Sequence, residues 1–442
     1  MPAEPLELLD QSHVLCLAPW VHVHLSSLGD FTPCCEIFDP QESSHGATLL
    51  SHWNGAAMAS IRKAMLEGRR VAACAKCYEK EAAGLTSYRR HFNELYRAEG
   101  HRLLATGKDG SLAAEIQPID LDIRFSNLCN FRCRSCWHGA SSRWFADADA
   151  LGQARGAQAI ITAGADREKT LEQVKQRLPF LRSIYFAGGE PLLMEEHYIL
   201  LEELARIGRT DIRLSYHTNL SELGLGDRKV TELWNAFSDV RVRVSADGMG
   251  KTGELIRKGM DWSAMERNIA LVREACPKAQ LSIAITVSVL NAFHIPAFYS
   301  HLHDELGFSQ EDIFLNPLQT PAHYNVQSLP RTMKRAVGLR LHSLAKSLPE
   351  SEPIARSAEL GRRAGAAGVV DIVDYMNSGD LRRHIPRFID ITDRLDALRS
   401  ENSFATIPEL LPLRSAARWE TWGPRGGVAL IGRALRRIAR RR

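Results

Sequence analysis

This chain of 442 residues contains no uninterrupted apolar stretch that approaches the ~20 residues needed to cross a bilayer. The first residues are acidic and lack the basic-then-apolar order of a secretory signal peptide. Aromatic residues make up 7% of the chain, charged residues 24% and hydrophobic residues 45%. This balance excludes a collagen-like or wholly disordered chain, and predicts a cytoplasmic globular enzyme of two or three domains.

Net positive charge is confined to one terminal segment. The net charge is +4, and residues 425–442 contain seven arginines and no acidic residue, so the rest of the chain carries −3. A nearly neutral body does not favour an extended nucleic-acid-binding face. The basic tail has the composition to touch RNA or anionic lipid, but we interpret it as a solvated helix end.

A disulfide framework is also not expected. The cysteines number nine, an odd count, and no secretion signal accompanies them. Seven of the nine lie within four positions of another cysteine, and such short gaps favour metal or iron–sulfur ligation. Cys276 has no neighbouring cysteine, and we interpret it as an ordinary thiol.

Strand-like and helix-like segments alternate between residues 118 and 325. The predicted strands are 119–125, 183–186, 212–216, 240–244, 281–287 and 313–315. The predicted helices between them are 169–178, 195–207, 230–237 and 262–275. Six β–α alternations predict an α/β fold with a parallel sheet, either open or curled into part of a barrel. Function is then expected at the carboxyl ends of the strands.

The flanking zones have different patterns. Residues 1–117 contain five cysteines, a hairpin signal that begins at Trp20, and polar helical segments at 56–67 and 78–99. Residues 326–424 show no strand pattern and are predicted to be helical, chiefly at 330–347 and 379–400, with an extended turn at 408–413. Residues 425–442 form the basic tail.

Three cysteines follow the first predicted strand of the alternating zone. Cys129, Cys133 and Cys136 have gaps of three and then two residues. Three thiolates on one loop can hold three corners of a cubic iron–sulfur cluster and leave the fourth iron open, as a catalytic site requires. The alternative is a zinc site completed by His138.

This CX3CX2C loop after a first strand resembles the signature of the radical SAM superfamily. The resemblance implies a partial (β/α)6 barrel and a [4Fe–4S] cluster whose open iron chelates S-adenosylmethionine (SAM). It also implies reductive cleavage of SAM to a 5′-deoxyadenosyl radical, which abstracts hydrogen from a substrate. A reductant such as flavodoxin or ferredoxin would supply the electron.

A second motif, at Gly188, Gly189, Glu190 and Pro191, ends the next predicted strand. Paired glycines allow close approach to the backbone, and the glutamate offers an acceptor to an ammonium group. The motif resembles the GGEP motif of the same superfamily, in which the glutamate and the glycine backbone hold the methionine amino group of SAM. The alternative is a plain strand-to-helix turn.

Polar residues follow the later strands as well. Asn219 comes after the third strand, and Ser245 and Asp247 come after the fourth. These side chains are candidates to bind the SAM carboxylate and ribose hydroxyls, and the alternative for Asn219 and Asp247 is capping of local turns. Asn316 and Gln319, after the sixth strand, are weaker candidates for a substrate pocket.

The cysteines at the front of the chain form two half-sites. Cys16 and Cys34 belong to a CX12GX4C pattern, and Cys74 and Cys77 form a CX2C pair. Four thiolates complete the shell of a second [4Fe–4S] cluster. The pattern resembles the twitch domain, a shortened SPASM domain that carries an auxiliary cluster, and four-cysteine zinc sites use similar spacings. Cys35 would point away from Cys34 if both lie on a strand.

Two histidines in the same zone, His22 and His24, share a strand face and are interpreted as packed side chains of the hairpin. A closed four-thiolate cluster leaves no iron for a reactant, so we expect it to accept the electron left on the substrate radical. The predicted reaction is therefore an oxidation or an oxidative bond formation on a peptide or a small sugar-like molecule. The alternatives are a zinc-stabilised binding protein and a radical SAM methyl or group transferase.

Overall fold

The computed structural model describes residues 5–37, 48–82, 87–154, 157–163, 166–349 and 363–422. The basic tail at 425–442 lies outside the described residues. In the described part of the chain, none of the helices is both long and apolar enough to cross a membrane.

Eight strands form one sheet in the order β10-β9-β8-β5-β4-β3-β1-β2, and two short strands, β6 and β7, pair with each other. The strands are β1 (His22–Leu25), β2 (Phe31–Thr32), β3 (Asp120–Ile123), β4 (Ser183–Phe186), β5 (Arg213–Thr218), β6 (Gly224–Leu225), β7 (Arg228–Lys229), β8 (Asp239–Ser245), β9 (Gln280–Val287) and β10 (Ile313–Pro317).

Six of these strands, β3, β4, β5, β8, β9 and β10, pair in parallel with their neighbours. They coincide with the six predicted strands, so the α/β class with a parallel sheet is confirmed. Along β8, Val240, Val242 and Val244 are buried while Arg241 and Arg243 on the other face are half-buried. One face of the sheet therefore packs against helices, and the other face presents polar side chains.

Helices connect and flank the strands. The α-helices are Pro5–Gln11, Ala18–Val21, Leu49–Trp53, Ala56–Leu66, Ala75–Ala82, Tyr88–Leu95, Phe145–Ala150, Arg167–Lys175, Glu195–Arg206, Val230–Trp234, Gly250–Ile256, Trp262–Ala275, Ile295–Ser300, Arg331–Ser347, Gly365–Asn377, Ile385–Arg399, Ser403–Thr406 and Pro412–Trp422. Each helix that the sequence predicts between the strands is present, with ends that shift by a few residues.

Several predicted segments differ from the structure, and the helix predicted at 379–400 begins only at Ile385. The segment at 78–99 does not form one helix, because Ala75–Ala82 and Tyr88–Leu95 are separate. The helix Gly365–Asn377 lies in the zone predicted to be helical, but the sequence does not single it out, since its glycines and β-branched residues have weak helix propensity. It packs against Arg331–Ser347, which outweighs that propensity. The segment predicted as an extended turn at 408–413 instead forms a 3₁₀ turn, Pro408–Leu410, followed by the start of a helix.

The predicted hairpin at the front of the chain is present, because β1 pairs antiparallel with β2. Its first strand begins later than expected, since Trp20 lies in the helical turn Ala18–Val21, where Pro19 favours the helix start. β1 also pairs in parallel with β3. The hairpin therefore extends the same sheet that carries the cysteine loop after β3.

Candidate functional site

The cysteine loop follows β3 and is held by a neighbouring backbone segment. Arg132 N donates to Lys258 O at 2.8 Å, and Arg134 N donates to Ile256 O at 2.7 Å. The Trp144 indole also donates to the carbonyl of Cys133 at 2.8 Å. These bonds connect the loop to a segment that follows β8, so its shape depends on contacts that are distant in sequence.

The three thiols of this loop lie in a desolvated environment. Burial raises the pKa of Cys129 and of Cys136 to about 12. Burial raises the pKa of Cys133 as well, and the positive charge of Arg257 opposes that shift. The Arg257 Nη1 atom lies 3.9 Å from the Cys133 sulfur. The thiols are therefore protonated without a metal, and cluster binding would release their protons.

Three thiols on one loop are a suitable donor set for an iron–sulfur cluster. In the described ranges, no three His, Cys, Asp or Glu side chains are arranged around a single metal-ion position. A cubic cluster does not require that arrangement, because each thiolate binds a different iron. His138, the alternative fourth ligand, stacks edge-on against Trp137 with ring centroids 5.2 Å apart.

The two glycines of the GGEP turn allow it to pack against the cysteine loop. Gly188 has a φ of 105°, which a side chain disfavours. A Cβ on Gly189 would lie 2.1 Å from the carbonyl oxygen of Leu128. Glu190 N also donates to that carbonyl at 2.7 Å. The two glycines therefore allow the GGEP turn to approach the cysteine loop closely, and this contact holds Glu190 beside the cysteines.

Glu190 is only 1% exposed and accepts several hydrogen bonds. Its Oε1 accepts from the Thr218 hydroxyl at 2.6 Å and from Leu192 N at 3.1 Å, and its Oε2 accepts from Asn219 N at 2.6 Å. Burial raises the pKa of this carboxyl to about 7, against the lowering effect of these donors. Because each carboxylate oxygen can accept about two hydrogen bonds, Oε2 has one acceptor position left.

Asn219 lies next to Glu190 and links three segments. Its Oδ1 accepts from the backbone and the hydroxyl of Ser221 at 2.9 Å and 2.7 Å. Its Nδ2 donates to the side chain of Asn130, inside the cysteine loop, at 2.9 Å. The side chain thus caps the turn after β5, which is the alternative that the sequence left open, and also braces the loop.

Asp247 is 1% exposed, and both of its oxygens have protein partners. Oδ1 accepts from Thr286 N at 2.7 Å, and Oδ2 lies 2.8 Å from Arg257 Nε. Ser245 is the last residue of β8 and is half-buried. Asn316, near the end of β10, is half-buried as well.

Sequence reasoning missed Arg257, which pairs with Asp247 and approaches Cys133. Its only sequence signal is a basic residue twelve positions after the fourth parallel strand, directly after the helix Gly250–Ile256. That position does not indicate contact with the cysteine loop, because the contact arises from backbone pairing between remote segments.

The four front cysteines line one cavity. Cys16, Cys34, Cys74 and Cys77 all border it, whereas Cys35 borders a separate cavity on the polar face of the sheet. The free space among the four thiols is about 20 Å³, close to that of one water molecule. Four thiols are the right donors for a cluster, and seating it would require these side chains to move apart.

The remaining candidates have ordinary partners. His22 Nδ1 lies 2.5 Å from Asp120 Oδ2, and His24 Nδ1 lies 2.9 Å from the Thr32 hydroxyl. The Cys276 thiol donates to a backbone carbonyl at 3.1 Å. These contacts agree with packed side chains.

Comparisons with known proteins identify the central part of the chain. Residues 123–291 match the model of the radical SAM superfamily. The chain is 22% identical, over 183 residues, to the S-adenosylmethionine-dependent nucleotide dehydratase RSAD2 of Oncorhynchus mykiss, covering 41% of this chain and 47% of that protein. The Danio rerio protein of the same name is also 22% identical, over 189 residues, covering 42% and 47%. The chain therefore spans about half of the length of the curated relatives that it matches.

Solved structures show weaker similarity. The structure described as native anSMEcpe with bound AdoMet is 21% identical, covers 52% of this chain and 61% of that chain, and has a TM-score of 0.37. The structure of Streptococcus suis SuiB bound to the precursor peptide SuiA is 11% identical, covers 77% of both chains, and has a TM-score of 0.34. On the family match and the cysteine loop that it includes, residues 123–291 form a radical SAM superfamily domain.

Proposed function

We propose that this protein is a radical SAM enzyme that cleaves SAM reductively and abstracts hydrogen from a substrate. When bound at Cys129, Cys133 and Cys136, a reduced [4Fe–4S] cluster supplies the electron that splits SAM into methionine and a 5′-deoxyadenosyl radical. We propose the partial (β/α)6 barrel as the fold around this site, with the division into residues 1–117, 118–325 and 326–424. Because cluster assembly needs reduced thiols, we propose a reducing, cytoplasmic compartment.

The observation that carries this proposal is the placement of Glu190. Its carboxyl group is buried beside the cysteine loop, and Oε2 retains one acceptor position. The methionine ammonium of SAM is a cationic donor of the kind that such a buried carboxylate holds strongly. Glu190 would therefore orient SAM with its amino group toward the cysteine loop.

Asp247 and Arg257 have a supporting role in the proposal. The guanidinium lies between the Asp247 carboxylate and the Cys133 sulfur, at 2.8 Å and 3.9 Å. A positive charge at this position stabilises a thiolate, which is the form that binds iron. We propose that Gly188, Gly189, Asn219 and Ser245 shape the remaining SAM-binding surface.

The direct test measures 5′-deoxyadenosine. The full chain is reconstituted with iron and sulfide without oxygen, reduced by dithionite or by reduced flavodoxin, and supplied with SAM. We expect the broad visible absorption of an iron–sulfur protein and formation of 5′-deoxyadenosine. A preparation that binds zinc but no iron or sulfide would contradict the proposal and favour a zinc-stabilised binding protein.

We further propose that Cys16, Cys34, Cys74 and Cys77 hold a second [4Fe–4S] cluster that accepts the electron from the substrate radical. The support is that these four thiols border one cavity while Cys35 borders another. A cluster with four protein ligands has no open iron, so its role is electron transfer or bracing rather than substrate activation. The net reaction would then be an oxidation.

A double variant separates electron transfer from bracing. With Cys74 and Cys77 changed to alanine, we expect lower iron content and continued SAM cleavage without completed product. Cys276→Ala is the matched control, because Cys276 is a buried thiol outside both cysteine groups. Normal product formation by a folded double variant would contradict the electron-acceptor role.

A further inference from the structure

A surface cavity of about 550 Å³ lies beside the cysteine loop. Two of the residues that border it, Asn130 and Arg132, belong to the loop itself. Asn130 directly follows Cys129 in the chain, and Arg132 directly precedes Cys133. Adjacent residues have Cα atoms about 3.8 Å apart. A partner seated in this cavity would therefore lie one residue away from two of the proposed cluster ligands.

The charged side chains that border this cavity are all positive. They are Arg132, Arg143 and Lys258, and none of the described residues around the cavity is an aspartate or a glutamate. A like-charged rim of this kind favours a partner of opposite charge.

The carboxylates that pair with two of these cations are buried behind them. Arg132 lies 3.2 Å from Asp147, and Lys258 lies 3.0 Å from Glu401. The side chains of the two cations are 30% and 36% exposed, whereas those of the two carboxylates are 3% and 9% exposed. The surface that a partner would meet is therefore positive.

The same carboxylates also pair with two buried arginines. Asp147 pairs with Arg399, and Glu401 pairs with Arg134, and both arginine side chains are 0% exposed. Asp396 is a further partner of Arg134. Within this network, two of the three carboxylates match the buried arginines, and one carboxylate remains for the two exposed cations.

Arg143 adds a further positive charge to the rim. It is exposed, and none of the ion pairs in the described part of the chain involves it. The rim therefore has an excess of two positive charges, although the chain without its basic tail carries −3. Such a local excess steers an acidic protein to this face, in a way that salt weakens.

Small residues lie among these cations. Ala146, Ala159 and Gly259 border the cavity and are exposed. A Cβ on Gly259 would lie 2.9 Å from the carbonyl oxygen of Asn130, so this wall of the cavity is in close contact with the cysteine loop. An apolar floor inside a cationic rim suits a flat apolar group that an acidic surface surrounds.

We propose that this cavity is the docking site of an acidic flavodoxin, whose flavin ring edge is such a group. In the step that docking allows, the reduced flavin loses one electron and the oxidised [4Fe–4S] cluster at Cys129, Cys133 and Cys136 gains it, and no bond forms or breaks. Electron transfer slows steeply with distance, which favours a surface next to the ligands. This inference rests on the proposed function, because it assigns the carrier a cluster to reduce.

The first test measures binding. The reconstituted full chain is titrated calorimetrically with a purified flavodoxin of negative net charge, at low and at high salt. We expect one flavodoxin to bind per chain, with an affinity that falls as the ionic strength rises. Absence of binding, or binding that salt does not weaken, would overturn the docking site. Binding of an acidic ferredoxin but not of flavodoxin would overturn the choice of carrier.

Arg143→Glu reverses one rim charge and leaves the proposed cluster ligands in place. It should weaken flavodoxin binding at low salt about threefold to tenfold, since each exposed ion pair contributes up to about fivefold. Arg335→Glu is the matched control, because Arg335 is also exposed but borders a different cationic cavity, away from the cysteine loop. It should bind flavodoxin as the wild type does.

Equal affinity of the wild type and Arg143→Glu, or an equal loss in Arg143→Glu and Arg335→Glu, would overturn the placement of the site. If Arg143→Glu does not fold, Lys258→Gln takes its place in the same comparison, with a smaller expected loss.

The electron source separates this inference from the proposed function. With excess dithionite, Arg143→Glu should form 5′-deoxyadenosine at the rate of the wild type, whereas with reduced flavodoxin the KM for flavodoxin should rise. SAM cleavage with dithionite by a wild type that binds no flavodoxin would overturn the docking site alone. Flavodoxin binding that depends on Arg143, without SAM cleavage by either reductant, would refute the proposed function and leave the docking site standing.

Discussion

Replacing Glu190 with glutamine tests the core of the proposed site, because the two side chains differ by one donor group. Both carboxylate oxygens of Glu190 face donors, from Thr218, Leu192 and Asn219. If the glutamine amide nitrogen takes the place of Oε2, its N–H group faces the backbone N–H of Asn219, and neither can accept a hydrogen bond. If the amide nitrogen takes the place of Oε1, it can donate to the Thr218 hydroxyl, which can rotate to accept, but it then faces the backbone N–H of Leu192.

One buried backbone donor therefore loses its acceptor in either orientation. We expect the free energy of unfolding of the Glu190→Gln protein to fall by about 1–3 kcal/mol. The amide also carries no charge for the SAM ammonium, and a hydrogen bond between charged groups contributes about 1.5–3 kcal/mol. The dissociation constant for SAM should accordingly rise by about 10- to 150-fold.

Equilibrium dialysis with labelled SAM measures the dissociation constant, and iron and sulfide analysis verifies that the cysteine triad still holds its cluster. Glu196→Gln is the matched control, because Glu196 is also a buried glutamate, but it pairs with Arg167. Unchanged SAM affinity in Glu190→Gln, with a full cluster content, would refute the assignment of Glu190 and make the GGEP segment a structural turn.

Three other changes test separate parts of the structure. Cys133→Ala should abolish 5′-deoxyadenosine formation under reducing conditions, because one corner of the cluster loses its ligand, and activity like that of the wild type would contradict the triad. Gly189→Ala should lower the melting temperature and the iron content, since its Cβ would lie 2.1 Å from the Leu128 carbonyl oxygen, whereas Gly338→Ala, with its nearest contact at 3.7 Å, should be tolerated. His197→Gln should reduce acid sensitivity. Burial lowers the pKa of His197 from 6.5 to about 3, so at this group the unfolded chain takes up a proton first as the pH falls. Between these two pKa values, this one group removes at most about 1.4 kcal/mol of stability per pH unit. If the free energies of unfolding of the two proteins fall in parallel between pH 6.5 and 3, His197 is not a source of the acid sensitivity.

Much of the fold could be predicted because its signals are local. The six parallel strands follow from short apolar runs that alternate with amphipathic segments, and each run appears in the chain close to its structural bounds. The helix Gly365–Asn377 could not be predicted in this way, since it depends on packing against Arg331–Ser347. The start of β1 at His22 likewise depends on its pairing with β3.

Local spacing also determined the candidate cluster ligands. Cys129, Cys133 and Cys136 lie on one loop, so their proximity follows from the covalent chain alone. The link between the front half-sites is different, because Cys34 and Cys74 are forty residues apart in the sequence. Spacing suggested their association, and tertiary packing brings both to one cavity and turns Cys35 to another.

Only the tertiary structure decided what surrounds the cysteine loop. Arg134 lies between two of the cysteines, yet its partners Asp396 and Glu401 are 262 and 267 residues further along the chain. Arg257 reaches Cys133 over 124 residues. A sequence pattern has a period set by the geometry of one helix or strand, so it indicates which face a residue occupies. It does not indicate which distant charge meets that face, because that depends on how complete elements pack together.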